Sequence, residues 1–161
     1  SPDGARLYIQ GLRSDFVKRD GSWRELVTPL GLRILESASM TELGRIDETV
    51  DELSLSPEGK LLAYVTFRVE DRGQEWSKRS DYRLHLLDAK TLKTVATTDL
   101  DGASRLVTFA PDSRIAYVAS MGGAPPPRVL AVSTSTGKRL GEVLGSAHFI
   151  ELIPLWRPLG P

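Results

Sequence analysis

Ser56-Pro57-Glu58-Gly59-Lys60 stands between Leu53-Ser54-Leu55 and Leu61-Leu62-Ala63-Tyr64-Val65. This reads as a short strand, a tight turn and a second, more apolar strand. The same device opens the chain as Ser1-Pro2-Asp3-Gly4, followed by Ala5 to Ile9. It returns as Phe109-Ala110-Pro111-Asp112-Ser113, followed by Arg114 to Val118. A worn fourth copy, Leu155-Trp156-Arg157-Pro158-Leu159-Gly160, closes the chain. The four prolines are 55, 54 and 47 residues apart, and a period of that size marks structural repeats.

The composition of the turn has a physical cause. Proline presets the φ that the first central position of a type I turn requires. Asp accepts hydrogen bonds from nearby backbone amides, and Gly enters the left-handed region without a Cβ penalty. A three-residue hairpin connection is therefore expected. The third copy carries Ser113 where Gly is wanted, which predicts slight strain or another turn type there. Leu159 replaces Asp in the fourth.

The chain has 161 residues, enough for a sizeable core. Its 21 basic and 21 acidic residues balance, which argues against a nucleic-acid partner held by net field. No apolar stretch approaches 18 residues, so no membrane span is expected, and no signal-peptide pattern is present. Cysteine is absent, which excludes disulfides and thiol chemistry and leaves the compartment open.

Each repeat reads as four strands. In the first, strands are expected at Arg6 to Leu12, Leu32 to Leu35 and near Glu42 to Ile46. The insert Arg13 to Gly31 centres on Asp20-Gly21, a short-range hairpin signal. In the second, Leu61 to Val69 is almost continuously apolar, as for a strand covered on both faces. A polar insert, Glu70 to Asp81, precedes alternation from Tyr82 to Leu86, a turn at Asp88 to Thr91 and a strand at Leu92 to Thr97. The third offers Arg105 to Phe109, Ile115 to Ala119, Val129 to Val132 and Arg139 to Leu144, with the loop Met121 to Pro127. No segment has a convincing helical period. Arg45 to Leu53 is the best helical candidate, short and acidic.

Radial repeats of four-stranded antiparallel sheets are β-propeller blades. The turn Ser1-Pro2-Asp3-Gly4 before Leu7-Tyr8-Ile9, and the later run Leu86-Leu87-Asp88-Ala89-Lys90-Thr91-Leu92-Lys93-Thr94-Val95-Ala96-Thr97, resemble the bacterial YVTN-type propeller repeat. The resemblance implies an all-β fold of about three blades, with repeats at about 1–52, 53–103 and 104–161. It weakly favours a periplasmic or extracellular setting. Relatives by fold span surface-layer proteins, periplasmic assembly factors, lactonases, lyases and quinoprotein amine dehydrogenase subunits. None of their catalytic residues maps onto this sequence, so no catalytic residue and no cofactor is expected. Closed propellers need about four to eight blades. Three imply either a segment of a longer propeller or two copies completing a ring, because an open arc exposes edges and an apolar face.

Blade geometry sends the three inserts to one rim. Two of them carry tryptophan among charges, Ser22-Trp23-Arg24-Glu25 and Glu75-Trp76-Ser77-Lys78-Arg79. Trp supplies contact area and Arg fork-shaped donors, so Trp23, Arg24, Trp76, Lys78 and Arg79 form a candidate binding set. The same residues equally suit a local clamp between hairpins. His85 and His148 have no metal-ligand spacing, and His85 reads as a strand residue between blades. Asp71, Glu75 and Asp81 could hold calcium, but they alternate with Arg72 and Lys78 as a solvated loop does. Two function classes stay open. One is a non-catalytic scaffold binding a protein or ligand, with a protein partner, further blades or a second copy beside it. The other is part of an enzyme propeller whose active site lies on other blades.

Overall fold

A computed structural model describes residues 1–70, 78–120 and 128–144. Among these residues eleven strands follow in order: β1 (Arg6–Arg19), β2 (Ser22–Glu36), β3 (Glu42–Ile46), β4 (Val50–Leu55), β5 (Leu61–Glu70), β6 (Lys78–Asp88), β7 (Thr94–Asp99), β8 (Ser104–Phe109), β9 (Ile115–Ser120), β10 (Arg128–Ser133) and β11 (Arg139–Leu144). They form three antiparallel sheets, ordered β1-β2-β3, β4-β5-β6-β7 and β8-β9-β10-β11. Among the described residues there is no helix.

The proline turns repeat atom for atom. In the second copy the Gly59 amide donates to the Ser56 carbonyl at 2.8 Å, and the Ser56 amide to the Leu61 carbonyl at 2.8 Å. The third copy has the same pair, Ser113 to Ala110 at 2.9 Å and Ala110 to Ile115 at 2.8 Å. In the first, Gly4 donates to Ser1 at 2.9 Å and the chain's amino group to the Arg6 carbonyl at 2.7 Å. The connection is therefore four residues, Pro57 to Lys60, one more than the sequence suggests. Gly4, Gly59 and Ser113 share left-handed φ values of 70°, 72° and 60°. Ser113 is 5% exposed, and its buried hydroxyl has no hydrogen-bond partner.

The turns between third and fourth strands repeat as strictly. Met40, Leu92 and Gly137 donate to Glu36, Asp88 and Ser133, four residues back, at 2.8, 2.8 and 2.9 Å. Their φ values are 57°, 59° and 70°. Leu92 therefore belongs to this turn and not to a strand beginning at Leu92, as its apolar character suggests; β7 starts at Thr94. The helical candidate, Arg45 to Leu53, is instead the end of β3, a connection and the start of β4. A bulge between Val50 and Glu52 breaks the alternation that would have declared the strand. The fourth proline turn, like the loop Met121 to Pro127, lies outside the described residues.

Alternation decides the packing. On β5, Leu62 and Tyr64 turn to the first sheet and meet Leu32, Ile34, Val50 and Leu87. Ala63, Val65 and Phe67 turn to the third and meet Val107, Phe109, Val118, Leu130 and Val132. The middle sheet is thus buried on both faces. Leu84 and Leu86 are fully inaccessible, and removing such a side chain to Ala costs about 2–5 kcal/mol. Side chains tie the layers further: Arg6 Nη1 donates to the Ala89 carbonyl at 2.6 Å, and Thr98 Oγ1 to the Gly137 carbonyl at 2.7 Å.

Ser113→Gly removes both a left-handed β-carbon and an unpaired buried hydroxyl, so it raises stability by about 1 kcal/mol. Gly59→Ala does the reverse, because its Cβ would lie 2.9 Å from Pro2 Cδ at a φ of 72°. Urea titrations of the two variants check both signs.

Candidate functional site

The two long hairpins bend at the same level. β1 and β2 pair in register up to Gly11–Gly31, where a bulge at Leu30 shifts the ladder. Gly31, at φ 71°, has no room for a Cβ against the Ile46 carbonyl. Beyond it the hairpin continues to Asp20-Gly21, both with positive φ (51° and 82°), the turn expected from that dipeptide. In the next sheet a bulge between Thr66 and Arg68 does the same, with Asp81 at φ 52° across from it. Bulges increase local twist and re-aim the strand beyond them. The insert Glu70 to Asp81 is consequently shorter than the sequence suggests, since β5 runs to Glu70 and β6 starts at Lys78.

Between the two hairpins lies a cleft of about 540 Å³. Val27, Pro29, Phe67 and Val69 give it an apolar wall, and Asp47, Glu48, Thr49, Arg68, Asp81 and Arg83 a charged one. Its volume falls within the range of small-molecule and peptide-anchor sites, about 300–1,000 Å³. Several of its charges are internally paired. Arg68 lies 3.8 Å from Asp81, Arg83 2.9 Å from Asp99, and Arg45 2.5 Å from Asp47. At its edge His85 stacks on Tyr64, centroids 4.8 Å apart and rings 9° from parallel. His85 Nε2 lies 3.0 Å from the Thr66 hydroxyl and 3.9 Å from a Glu48 carboxylate oxygen. His85 is thus a strand residue between sheets, as its sequence context suggests.

The candidate residues separate. Trp23, just after the Asp20-Gly21 turn, is 58% exposed. Arg24 is half-buried, 3.4 Å from Asp20. Arg79 sits over the Phe67 ring, 4.7 Å from its centroid, and 3.6 Å from Asp51. Trp76, Asp71 and Glu75 lie outside the described residues, as does the Lys78 side chain. Among the described residues, no group of three or more His, Asp or Glu is placed to hold a metal ion. The cleft walls escape sequence reasoning, because two bulges bring them together; Pro29 inside a strand pattern was the available signal.

Solved structures share the arrangement, two of them as follows. A eukaryotic initiation factor superposes with a TM-score of 0.61 and 12% identity, over 89% of this chain and 30% of that one. BamB from Moraxella catarrhalis does so with a TM-score of 0.53 and 9% identity, over 87% and 39%. Both are propeller-type proteins. The chain folds as β-propeller blades. It spans well under half the length of either structure. No family model and no curated protein matches it.

Burial depresses the His85 pKa below 6.5, Glu48 opposes this and Arg83 adds to it. As pH falls, the unfolded chain therefore takes up this proton first, and the stability present above pH 6.5 is lost as the pH drops towards the folded value. Blade stability declines from pH 7 to 5. In His85→Phe, which keeps a ring against Tyr64, that part of the decline disappears. Melting temperatures of both proteins across this window test the assignment.

Proposed function

We propose that this chain is a non-catalytic propeller segment serving as a binding scaffold, with the rim of the two long hairpins as its recognition surface. The observation that supports this reading is the cleft itself. Adjacent blades lengthen the same connection, bulge at the same level, and border an open groove of about 540 Å³ with an apolar wall and charges of both signs. A two-residue turn would have closed either hairpin. Such a surface suits a peptide segment with an apolar anchor flanked by charges. Trp23 and Arg68, exposed at the two sides, are its outer contacts. Arg24 extends it and Arg79 positions Phe67 from behind, while Trp76 and Lys78 are assigned to the same binding set from the sequence. The repeats are of YVTN type on this reading, in three units at about 1–52, 53–103 and 104–161, of bacterial origin.

Peptide-display selection against the immobilised chain tests the proposal. Selected peptides carry a large apolar residue, and Trp23→Ala and Arg68→Glu each weaken them about tenfold or more. Both variants keep the parent's melting temperature within a few degrees, since exposed substitutions usually cost about 0.5 kcal/mol or less. Binders indifferent to both substitutions would place recognition elsewhere. A loss of roughly 3 kcal/mol in Trp23→Ala would make that residue a structural clamp.

A further inference from the structure

The turn between third and fourth strands is also the joint between blades. The Leu92 side chain lies on Gly44 of the preceding blade, with Cδ1 2.5 Å from where a Cβ would stand. One blade on, Gly137 takes the Leu92 position and meets Ala96, which takes the Gly44 position; a Cβ at Gly137 would lie 3.0 Å from that of Ala96. A large knob thus faces glycine, and a glycine faces alanine. The hydrogen bonds fix this alignment, because Thr41, Lys93 and Lys138 each close their turns identically. Counting on from them, Gly44, Ala96 and Gly141 are equivalent.

Among the described residues, two members of this series are unmatched. Met40 is the knob of the first blade, 56% exposed. It holds a left-handed φ of 57°, which strains a residue that carries a Cβ. Leu92 accepts the same strain and recovers it by packing. Gly141 is the socket of the third blade, with nothing among the described residues within 4 Å of a Cβ built on it. The surrounding faces agree. Leu62 and Tyr64, then Ala116 and Val118, are 0–4% exposed against the preceding blade. Leu7 and Ile9, their first-blade equivalents, are 42% and 43% exposed. The opposite face of the third blade presents Ile115, Tyr117 and Ala131, all half-buried.

We infer that the outward face of the first blade docks on the outward face of the third blade of a second copy, with Met40 seated on Gly141. The size match argues for this occupant: the first blade carries a large knob, and the third carries a glycine socket that no described residue fills. The two contacts of a pair are equivalent, so a twofold axis closes the assembly at six blades, within the about four to eight of closed propellers. The inference rests on the blade joints and is independent of the rim.

Sedimentation velocity on the full chain tests it. The parent sediments at twice the 17.7 kDa of one chain at micromolar concentration. Met40→Gly deletes the knob while suiting the backbone, and Gly141→Leu fills a socket with open space around it. Each weakens association at least about tenfold without lowering the melting temperature of the single chain. Met40→Leu stays associated. Mixing the Met40→Gly and Gly141→Leu variants restores association, because the pair retains one intact knob and one intact socket facing each other. A parent that remains a single chain would overturn the inference and leave both faces to other blades of the same polypeptide. So would variants that associate like the parent, or a mixture that does not recover.

Discussion

A sheet that is apolar on both faces must be covered twice, and β4 to β7 form such a sheet. The run from Leu61 to Phe67 sends alternate side chains to opposite sides, with Leu62 and Tyr64 in one cluster and Ala63, Val65 and Phe67 in the other. Each fully buried aliphatic side chain contributes about 1.5–3 kcal/mol. Neither outer blade could supply this alone, since each lends one face to the middle. Stability in this arc is therefore a property of the joints between blades as much as of the ladders within them.

The joints explain the backbone. The five non-glycine residues with positive φ among those described are Asp20, Met40, Asp81, Leu92 and Ser113. Three stand where another repeat has, or could have, glycine: Ser113 against Gly4 and Gly59, and Leu92 and Met40 against Gly137. Asp20 and Asp81 belong to the hairpins that carry the rim. The frame repeats with little variation, and the chain departs from it chiefly at the hairpins, where the candidate recognition surface lies. That division suits a scaffold, because the rim can change without disturbing the blade joints.

Much of this was legible in the residues. Pro2, Pro57 and Pro111 announce three copies of one turn, and Asp20-Gly21 announces the long hairpin. The unbroken apolar run at Leu61 announces a strand covered on both faces. Other features depend on contacts between distant residues. Leu92 looks like the first residue of a strand, yet it closes the same left-handed turn as Met40 and Gly137 and packs its side chain on Gly44. The acidic stretch from Arg45 to Leu53 conceals a strand because the bulge before Glu52 breaks its alternation. The cleft could not be foreseen, since Val27 and Pro29 come to line one groove with Phe67 and Val69 only after two bulges have turned both hairpins.

Native-state hydrogen exchange tests most directly whether the doubly covered sheet holds the arc together. Amides open locally according to the stability of the unit that contains them. On this account the amides of β5 and β6 exchange last, at the rate of global unfolding, while those of β1 to β3 exchange earlier. Uniform protection across the three blades, or slowest exchange in the first, would contradict it.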